Sequence, residues 1–422
     1  MLVVSAILEN KERIIEGLKK RNFKQLDLID EVINTDELRR KTQFELDNLL
    51  SESNRMSKEI GQLFQQGKTA EANDLKEKTA TYKSKIKELQ DLLNDYEESL
   101  KNMLYQIPNI PHSSVVQGFG AEDNEVVFKE GDDSPKPDMM PHWDLAKKLN
   151  LIDFELGVKI TGAGFPVYLG KGARYQRALI QYFLDKNTSA GYKEIIPPFV
   201  VNEASGYGTG QLPDKEGQMY YVNEDDFYLI PTAEVPVTNL YRDELLNESD
   251  LPVKMTAYSP CFRREAGSYG KDVRGLNRLH QFEKVEIVRI EKPENSYAAL
   301  NEMVEHVKGL LRDLELPFRI LRLCGGDMGF TSALTYDFEV FSAAQEKWLE
   351  VSSVSNFETF QANRLKLRFK HEGKNELCHT LNGSSLALPR ILAALLENHQ
   401  QADGSIRIPE KLRSYTGFDK ID

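Results

Sequence analysis

Residues 262–286 carry charged and aromatic side chains on two short apolar stretches that are joined by a glycine-containing loop. Arg263 supplies a planar guanidinium that keeps its charge and can hold a phosphate or a carboxylate by two parallel hydrogen bonds. The ring of Phe282 can stack on a base, and the carboxylates of Glu265 and Glu286 can accept hydrogen bonds from amino or ammonium groups. Together, these groups can hold a nucleotide beside an amino acid.

The glycine-rich run at residues 162–172 does not supply a phosphate-binding loop. A P-loop has the pattern GxxxxGK followed by Ser or Thr, whereas here five residues separate Gly164 from Gly170 and Gly172 follows Lys171. We therefore interpret this run as structural turns. If the protein binds ATP, Arg263 is the main phosphate ligand in its place.

The first quarter of the chain has the pattern of a coiled coil. It contains no proline before Pro108, and apolar residues recur at spacings of three and four over residues 46–63 and 75–103. Such a seam is typical of packed helices. Gly67 interrupts the two runs where a tight reversal would fall. We predict an antiparallel helical hairpin over about residues 30–103, each arm ~35 residues and so ~50 Å long.

The far end of this hairpin is basic in an otherwise acidic chain. Residues 55–87 hold eight cations against four anions, while the whole chain has a net charge of −12. A charge run of this kind is most often a solvated helix surface. The alternative is a local phosphate-binding tip on an acidic body.

A change in composition marks a domain boundary. Residues 107–112 form a proline-containing linker, and a segment rich in Gly, Asp and Pro follows at 118–141. We predict an N-terminal domain at residues 1–108 and a second domain at 109–422.

The second domain has a mixed pattern of helices and strands. A helix is expected at residues 173–186 and a last helix at about 386–399, or from near Leu388, because a proline such as Pro389 is tolerated in a first turn. Extended runs predict strands at residues 193–201, 227–230, 255–262, 281–290 and 349–353. Successive extended runs with few helices between them favour an α+β fold with an antiparallel sheet.

Cysteine usage and the first residues bear on the compartment. Cys261, Cys324 and Cys378 are far apart and form no CxxC pair, which argues for a reducing compartment and against a structural zinc site. The apolar start is too short for a membrane span, Glu9 follows it, and it lacks the basic leader and cleavage site of a signal peptide. We therefore expect a cytoplasmic protein without membrane association.

These motifs resemble the class II aminoacyl-tRNA synthetases, and among them the seryl-tRNA synthetase family, over essentially the whole chain. Residues 262–286 resemble the second class II motif and residues 382–390 the third. Residues 191–198 are similar to the weaker first motif, which lies at the dimer interface in the family. Thr232-Ala233-Glu234 matches the family's serine-pocket signature, and 208–213 and 324–329 are further family stretches. Ser385 departs from the glycine often found at its position.

The resemblance implies an ATP site with two catalytic arginines. Arg263 would clamp the α-phosphate and the amino-acid carboxylate, and Arg390 would lie against the γ-phosphate end. Glu265 would hold the adenine amino edge, with Phe282 stacked on the ring. The implied ATP-binding residues are Arg263, Arg264, Glu265, Phe282, Glu350, Val351, Ser352, Ser353 and Arg390. Glu350 and Ser353 would hold Mg²⁺, which prefers such oxygen ligands.

The same resemblance implies a serine pocket and an RNA partner. The pocket residues are Thr232, Ala233, Glu234, Arg263, Glu286, Asn382 and Ser384. Candidate tRNA contacts at the hairpin tip are Arg55, Lys58, Lys68, Lys76 and Lys83. Thirty-two residues follow Arg390, which is too few for a C-terminal anticodon-binding domain, so tRNA recognition is expected at the hairpin.

The implied activity is a serine–tRNA ligase that forms seryl-adenylate from L-serine and ATP and transfers serine to tRNA(Ser). The family suggests tRNA(Sec) as a further substrate. It also suggests a homodimer whose hairpin reaches the tRNA held by the partner subunit.

Two other functions are considered. A paralogue that loads serine or a similar amino acid onto a carrier protein would not need the hairpin, which is intact here. A catalytically dead coiled-coil interaction protein would be expected to have lost Arg263, Glu265, Glu286 or Arg390, and all four are present.

Overall fold

A computed structural model of the chain describes residues 1–136, 138–266 and 274–422. Over these residues the chain forms two compact units, one of residues 1–19 and 23–108 and the other of residues 20–22 and 109–422. Gly267, Ser268, Tyr269 and Gly270 of the second-motif loop lie outside the described residues.

The N-terminal unit is a helical hairpin preceded by two short helices. Its helices are α1 (Val4–Glu9), α2 (Lys11–Lys20), α3 (Leu28–Gln65) and α4 (Thr69–Leu104). Helices α3 and α4 meet through a seam in which Leu46, Leu89 and Leu93 are buried together. Between the two helices Gly67 has φ +76°, a left-handed conformation that glycine adopts without strain. The predicted antiparallel hairpin is confirmed, whereas α1 and α2 were not predicted.

The pairing of α3 with α4 follows from their sequence. Lys85 Nζ lies 2.9 Å from Glu45 Oε1, and Ser53 and Thr79 are both buried in the seam. The ion-paired residues and the two buried residues are each nearly symmetric about residue 66, so the two runs of apolar residues face each other in register. Most of the remaining surface of these helices is exposed.

The second unit contains the remaining elements. Its helices are α5 (His142–Lys148), α6 (Phe154–Ile160), α7 (Gly170–Ser189), α8 (Glu203–Thr209), α9 (Glu234–Asn239), α10 (Ser296–Asp313), α11 (Thr359–Leu365), α12 (Leu388–Asn398) and α13 (Arg413–Thr416). Its strands are β1 (Glu125–Glu130), β2 (Ile152–Asp153), β3 (Val167–Tyr168), β4 (Lys193–Glu194), β5 (Val200–Asn202), β6 (Tyr221–Val222), β7 (Phe227–Leu229), β8 (Leu245–Asn247), β9 (Val253–Phe262), β10 (Gln281–Glu291), β11 (Phe318–Arg322), β12 (Leu334–Ser342), β13 (Lys347–Asn356), β14 (Arg368–His371), β15 (Lys374–Leu377), β16 (His379–Ala387), β17 (Ile406–Arg407) and β18 (Lys420–Ile421).

Within the described part of the chain, eight strands form the main sheet in the order β1-β11-β12-β13-β16-β10-β9-β4. Neighbouring strands are antiparallel except β4, which is parallel to β9. The largest buried cluster contains residues of α7, α10 and α12 together with sheet residues such as Ile287 and Phe338. The predicted α+β fold with an antiparallel sheet is confirmed.

Two predicted elements differ from the structure. The last helix begins at Leu388, because β16 extends to Ala387; the start at residue 386 was wrong, and the alternative start near Leu388 is correct, with Pro389 in the first turn. The strand predicted over residues 193–201 is reduced to β4 and β5. Pro197 and Pro198 lie between them, and proline has no N–H with which to continue a ladder.

No helix among the described residues is long and apolar enough to cross a membrane.

Candidate active site

The central strands bring the predicted second and third motifs side by side. Strands β10 and β16 pair so that Glu286 lies opposite Ser384 and Val288 lies opposite Asn382. Because side chains alternate between the faces of a strand, Glu286, Ser384 and Asn382 lie on the same face of the sheet. Thr232 and Glu234, at the start of α9, contact this face. The sheet therefore gathers these predicted pocket residues.

A lysine and a threonine organise the Glu286 carboxylate. Lys284 Nζ lies 2.6 Å from Glu286 Oε2 and donates to Thr232 Oγ1 at 2.8 Å. Thr232 Oγ1 in turn donates to Glu286 Oε2 at 3.3 Å and accepts from the Glu234 backbone N–H at 3.2 Å. Thr232, Lys284 and Glu286 are all buried, so this cluster is shielded from water and held in one arrangement.

The Glu234 carboxylate lies in the same pocket and interacts with neutral groups. Gln361 Nε2 donates to Glu234 Oε1 at 2.7 Å, and Thr380 Oγ1 donates to Gln361 Oε1 at 2.7 Å, which fixes the orientation of the amide. Burial, and then the negative charge of Glu286, raise the pKa of Glu234 to about 7, against the opposing effects of Gln361, Lys284 and Asn382.

The charges of this pocket suit a small cation. Lys284 balances one of the two carboxylates, Glu286, through their ion pair. When Glu234 is ionised, the group of Lys284, Glu286 and Glu234 carries one net negative charge. A buried, unbalanced carboxylate is costly, and a bound ammonium group would remove that cost.

Arg263 lies at the end of β9, next to the aromatic residue predicted to stack on a base. Its backbone N–H donates to His280 O at 2.9 Å, which joins the two arms of the second motif. Its Nε is 3.4 Å from Pro231 O, and its Cζ lies 5.2 Å from the centre of the Phe282 ring. The guanidinium is therefore held beside Phe282 and near the segment that leads into α9.

Arg264 and Glu265 begin the loop that leaves β9. The Arg264 backbone N–H donates to Gln218 O at 2.8 Å, and its guanidinium Cζ lies 5.7 Å from the Tyr220 ring centre. Glu265 has φ +48° and its Oε2 lies 3.4 Å from Arg278 Nη1. Both side chains lie at the edge of the site.

Arg390 and Glu350 are 40 residues apart in sequence and meet in the fold. Arg390 lies in the first turn of α12. Its Nη1 donates to Glu350 O at 2.8 Å and lies 3.9 Å from Glu350 Oε2, while its Nε donates to Asn277 O at 2.9 Å. The third motif is thus joined to β13 and to the end of the second-motif loop.

The remaining residues predicted on β13 have different surroundings. Val351 is part of the main apolar core, and Ser352 Oγ donates to Ser384 O at 2.6 Å. The Val351 side chain therefore packs in the core, and the Ser352 hydroxyl joins β13 to β16. Ser353 lies opposite Asp337 of β12.

The oxygen-bearing side chains on β12 and β13 fit the preferences of Mg²⁺. Glu350 offers a carboxylate and Ser353 a hydroxyl, and burial and the charge of Glu350 raise the pKa of Asp337 beside them. Hard oxygen donors of this kind suit Mg²⁺, which keeps several waters and binds substrate phosphates. No group of three or more His, Cys, Asp or Glu placed to hold a metal occurs in the described part of the chain, so water and phosphate oxygens would have to complete the coordination.

Two pocket residues were not predicted. Lys284 stands two positions before Glu286, and the two-residue period of a strand places both on the same face, so a signal was present in the sequence. Gln361, on α11, binds Glu234 from 127 residues away, and nothing in the local sequence marks it.

Ser385, the departure from the family pattern, is accommodated. It is fully buried, and its hydroxyl donates to Asn187 Oδ1 at 2.7 Å. The added polar atom is therefore satisfied.

The predicted tRNA contacts all lie on the hairpin of the N-terminal unit. Arg55 and Lys58 are on α3, Lys68 is at the turn, and Lys76 and Lys83 are on α4. All five side chains are exposed, and Lys68 lies 3.7 Å from Glu71.

Comparisons with known proteins find matches to synthetase families, one of them over the full length of the chain. Residues 1–111 match the seryl-tRNA synthetase N-terminal domain, and residues 219–399 match the tRNA synthetase class II core domain (G, H, P, S and T). The chain is 52% identical to the serine–tRNA ligase of Salinibacter ruber, over 100% of this chain and 99% of that protein.

Solved structures give the same result. The seryl-tRNA synthetase of Pyrococcus horikoshii, complexed with ATP, superposes with a TM-score of 0.91 at 33% identity, over 100% of this chain and 99% of that one. The cytoplasmic serine–tRNA ligase of Naegleria fowleri, in complex with AMP, superposes with a TM-score of 0.88 at 28% identity, with the same coverage.

Proposed function

The chain belongs to the serine–tRNA ligase family, and we propose that the pocket bounded by β10, β16 and α9 activates L-serine with ATP before transfer to tRNA(Ser). The sequence-based resemblance to this family is thereby confirmed. The observation that carries the proposed chemistry is the arrangement of Glu234 and Glu286 around a single lysine, Lys284. This arrangement leaves one negative charge for the substrate's ammonium group.

Serine binds by its three polar groups. Glu234, Glu286 and Thr232 take up the ammonium and the hydroxyl, and Asn382 and Ser384 close the opposite side of the pocket. Ala233, fully buried between Thr232 and Glu234, keeps this wall compact. A pocket that hydrogen-bonds a buried hydroxyl rejects alanine strongly, because its polar groups would stay unpaired, and it excludes threonine mainly by size.

Activation needs alignment and charge stabilisation by the protein. The serine carboxylate is already ionised at pH 7, so no general base is required for its attack on the α-phosphorus of ATP. Arg263 binds both the carboxylate and the α-phosphate, which orients the attack and offsets the charge that develops on the phosphate oxygens. The new acyl–phosphate bond forms as the bond to pyrophosphate breaks. Arg390 holds the γ-phosphate end of the departing pyrophosphate.

The base and the metal are held at the edges of this site. Phe282 stacks on the adenine ring, and Glu265 and Arg264 contact its rim. Glu350 and Ser353 would hold Mg²⁺, which when bound neutralises phosphate charge. Val351 and Ser352 position this pair through their contacts with the core and with β16.

The hairpin supplies the RNA-binding surface. Double-helical RNA is recognised mainly through its backbone and shape, which suits a long helical rod with exposed cations. We propose that Arg55, Lys58, Lys68, Lys76 and Lys83 contact tRNA(Ser), with tRNA(Sec) as a second substrate.

We further propose a homodimer in which the hairpin reaches the tRNA bound to the partner subunit. The segment similar to the first class II motif supports a subunit interface there, since Ile196 is 85% exposed. The domain division follows: residues 1–108 bind tRNA, and residues 109–422 bind ATP and serine and form the dimer. The three free cysteines are consistent with a cytoplasmic location.

Serine-dependent ATP–pyrophosphate exchange, followed by charging of tRNA(Ser), tests this function. Both reactions are expected, and exchange should fall to background when alanine replaces serine. Exchange without charging of tRNA would favour the carrier-protein paralogue. Absence of exchange at saturating ATP, serine and Mg²⁺ would favour the interaction protein.

A further inference from the structure

We propose that His142 and Glu397, which have no role in the scheme above, form a buried positioning pair that sets the placement of Arg390. His142 is on α5, and Glu397 lies on α12 about two turns after Arg390. Both side chains are fully buried. The inference rests on the proposed function, because it assigns Arg390 to the γ-phosphate end of ATP.

The Glu397 carboxylate is the centre of this network. His142 Nδ1 lies 2.6 Å from Glu397 Oε1, and the His142 backbone N–H and Gln345 Nε2 each donate to the same oxygen at 3.0 Å. Ser342 Oγ donates to the other oxygen. Both oxygens of this fully buried carboxylate therefore have hydrogen-bond partners.

His142 connects this carboxylate to the end of the second-motif loop. The Leu276 backbone N–H donates to His142 Nε2 at 2.8 Å. Because Nε2 accepts a hydrogen bond, Nδ1 carries the ring N–H, and this N–H donates a hydrogen bond to Glu397 Oε1. The imidazole of His142 therefore links α12 to the Leu276 backbone.

A second branch of the network runs from Glu397 through Gln345 to Asn277, the residue after Leu276. Gln345 Nε2 donates to Glu397, and Gln345 Oε1 accepts from Asn277 Nδ2 at 2.9 Å. Leu276 and Asn277 are thus held to the network by neighbouring groups, one through its backbone and one through its side chain. The two branches define the position of the Asn277 carbonyl.

That carbonyl is one of the groups that bind Arg390. Arg390 Nε donates to Asn277 O at 2.9 Å, and Arg390 Nη1 donates to Glu350 O at 2.8 Å. Two acceptors on different nitrogens fix the plane of a guanidinium. The direction in which Arg390 presents its remaining N–H groups therefore depends on His142, Glu397 and Gln345.

The backbone next to this contact has no room for a side chain. Gly275 has φ +67°, and a Cβ built on it would lie 2.3 Å from His142 Nε2 and 3.1 Å from Trp143 Cε3. Any other residue would push the loop away from the imidazole. Close packing at Gly275 and the hydrogen bond from Leu276 therefore both hold this loop against His142.

A merely structural role would not require these polar groups. Replacing a buried charged network with apolar residues of similar volume is often neutral or stabilising. Here two branches of the network lead instead to Leu276 and Asn277, and the Asn277 carbonyl binds Arg390, so the network specifies a geometry. Changes to this network should accordingly raise KM for ATP more than KM for serine.

The test compares His142→Asn with His142→Gln in serine-dependent ATP–pyrophosphate exchange by the full-length protein. Asn can reach Glu397 but not Leu276, whereas the longer Gln can offer an acceptor towards Leu276. For His142→Asn we expect KM for ATP to rise about tenfold with KM for serine within about twofold of wild type. His142→Gln should restore part of the loss. The control His371→Asn, which changes a half-exposed histidine paired with Glu248, should leave both constants unchanged.

A double-mutant cycle identifies the path. If His142 acts through Arg390, His142→Asn should have less than about a twofold further effect in an Arg390→Ala background. Additive losses, or equal changes in both KM values, would overturn the inference. If wild type shows no serine-dependent exchange, the proposed function itself fails, and that result is distinct from an active wild type with an unaffected His142→Asn.

A second variant covers the case in which His142→Asn does not fold. Gln345 is partly exposed, so Gln345→Met should fold while it removes the bonds to Asn277 and Glu397. We expect a rise in KM for ATP of about threefold with KM for serine unchanged. An unchanged KM for ATP would contradict the proposal.

Discussion

The α3–α4 hairpin and the proposed serine pocket of the second unit are built in opposite ways. The hairpin joins residues that are placed symmetrically about one turn, through an apolar seam around Leu46, Leu89 and Leu93, and it leaves the cations of residues 55–87 in solvent. The pocket joins residues 54 and 127 positions apart, such as Thr232 with Glu286 and Glu234 with Gln361, and it buries its charges. We therefore expect that the RNA binding proposed for the hairpin and the amino-acid activation proposed for the pocket can be altered separately.

The largest effect is expected at Arg263. Arg263→Ala removes the group proposed to hold both the serine carboxylate and the α-phosphate, so exchange should fall by about 10³-fold or more. The side chain is only partly buried, so the folded state should be retained, as circular dichroism can check. Arg312→Ala, which removes an exposed ion pair with Glu130, is the matched control and should keep wild-type exchange. Wild-type exchange by Arg263→Ala would remove this arginine from the mechanism.

Shortening the hairpin should affect only the RNA step. Residues 54–78 can be replaced by a linker of about four glycines, because packed helices lie ~10 Å apart and each extended residue spans ~3.5 Å. The variant loses Arg55, Lys58, Lys68 and Lys76 but keeps the Lys85–Glu45 pair. We expect kcat/KM for tRNA charging to fall about 10²-fold while exchange stays within about twofold. Equal losses in both assays would show that the two regions are not separable.

The pocket should bind serine in a pH-dependent manner. Because burial and Glu286 raise the pKa of Glu234 to about 7, this carboxyl is mostly protonated at pH 6 and ionised at pH 8. Only the ionised form attracts ammonium, so KM for serine should be about tenfold higher at pH 6 than at pH 8. Glu234→Gln should bind serine weakly and lose this dependence.

Stability gives an independent measurement of the same group. The native state binds the Glu234 proton more tightly than the unfolded chain, whose carboxyl has a pKa of about 4.3. The free energy of unfolding should therefore decrease as pH rises from about 4 to about 7, and Glu234→Gln should lessen the decrease. The matched control is Glu283→Gln, which changes a carboxyl with a pKa that burial also raises. Glu283→Gln should leave the pH dependence of KM for serine unchanged. If Glu234→Gln and Glu283→Gln both lost that pH dependence, the assignment to Glu234 would be refuted.

The smallest effect is expected from a single cation on α4 of the hairpin, Lys83. Lys83→Ala should raise KM for tRNA about two- to fivefold and reduce the salt dependence of binding by about one phosphate contact. Exchange should be unaffected. Lys147→Ala, at an 83% exposed lysine of the other unit, is the control and should leave tRNA binding unchanged. A salt dependence that is identical in Lys83→Ala and wild type would remove Lys83 from the contact surface.

Local pattern accounts for what sequence reasoning predicted well. The hairpin follows from apolar spacing and from Gly67, and strands β9 and β10 follow from long extended runs. Predictions were weaker where neighbouring elements compete, as at Leu386 and Ala387, which continue β16 because that strand pairs with β10. At Pro197 and Pro198, the missing N–H groups interrupted a run that otherwise had the composition of a strand.

The sequence by itself determined the class of the fold, the family and the residue types of the site, because these depend on periodicity and on motifs of a few residues. Only the tertiary structure decided which charges balance each other. Lys284 neutralises Glu286 while Glu234 is left with Gln361, and Arg390 is held by the Asn277 and Glu350 carbonyls. The physical reason is that the ionisation and orientation of a buried group depend on neighbours from distant segments, and strand pairing and helix packing bring those neighbours together.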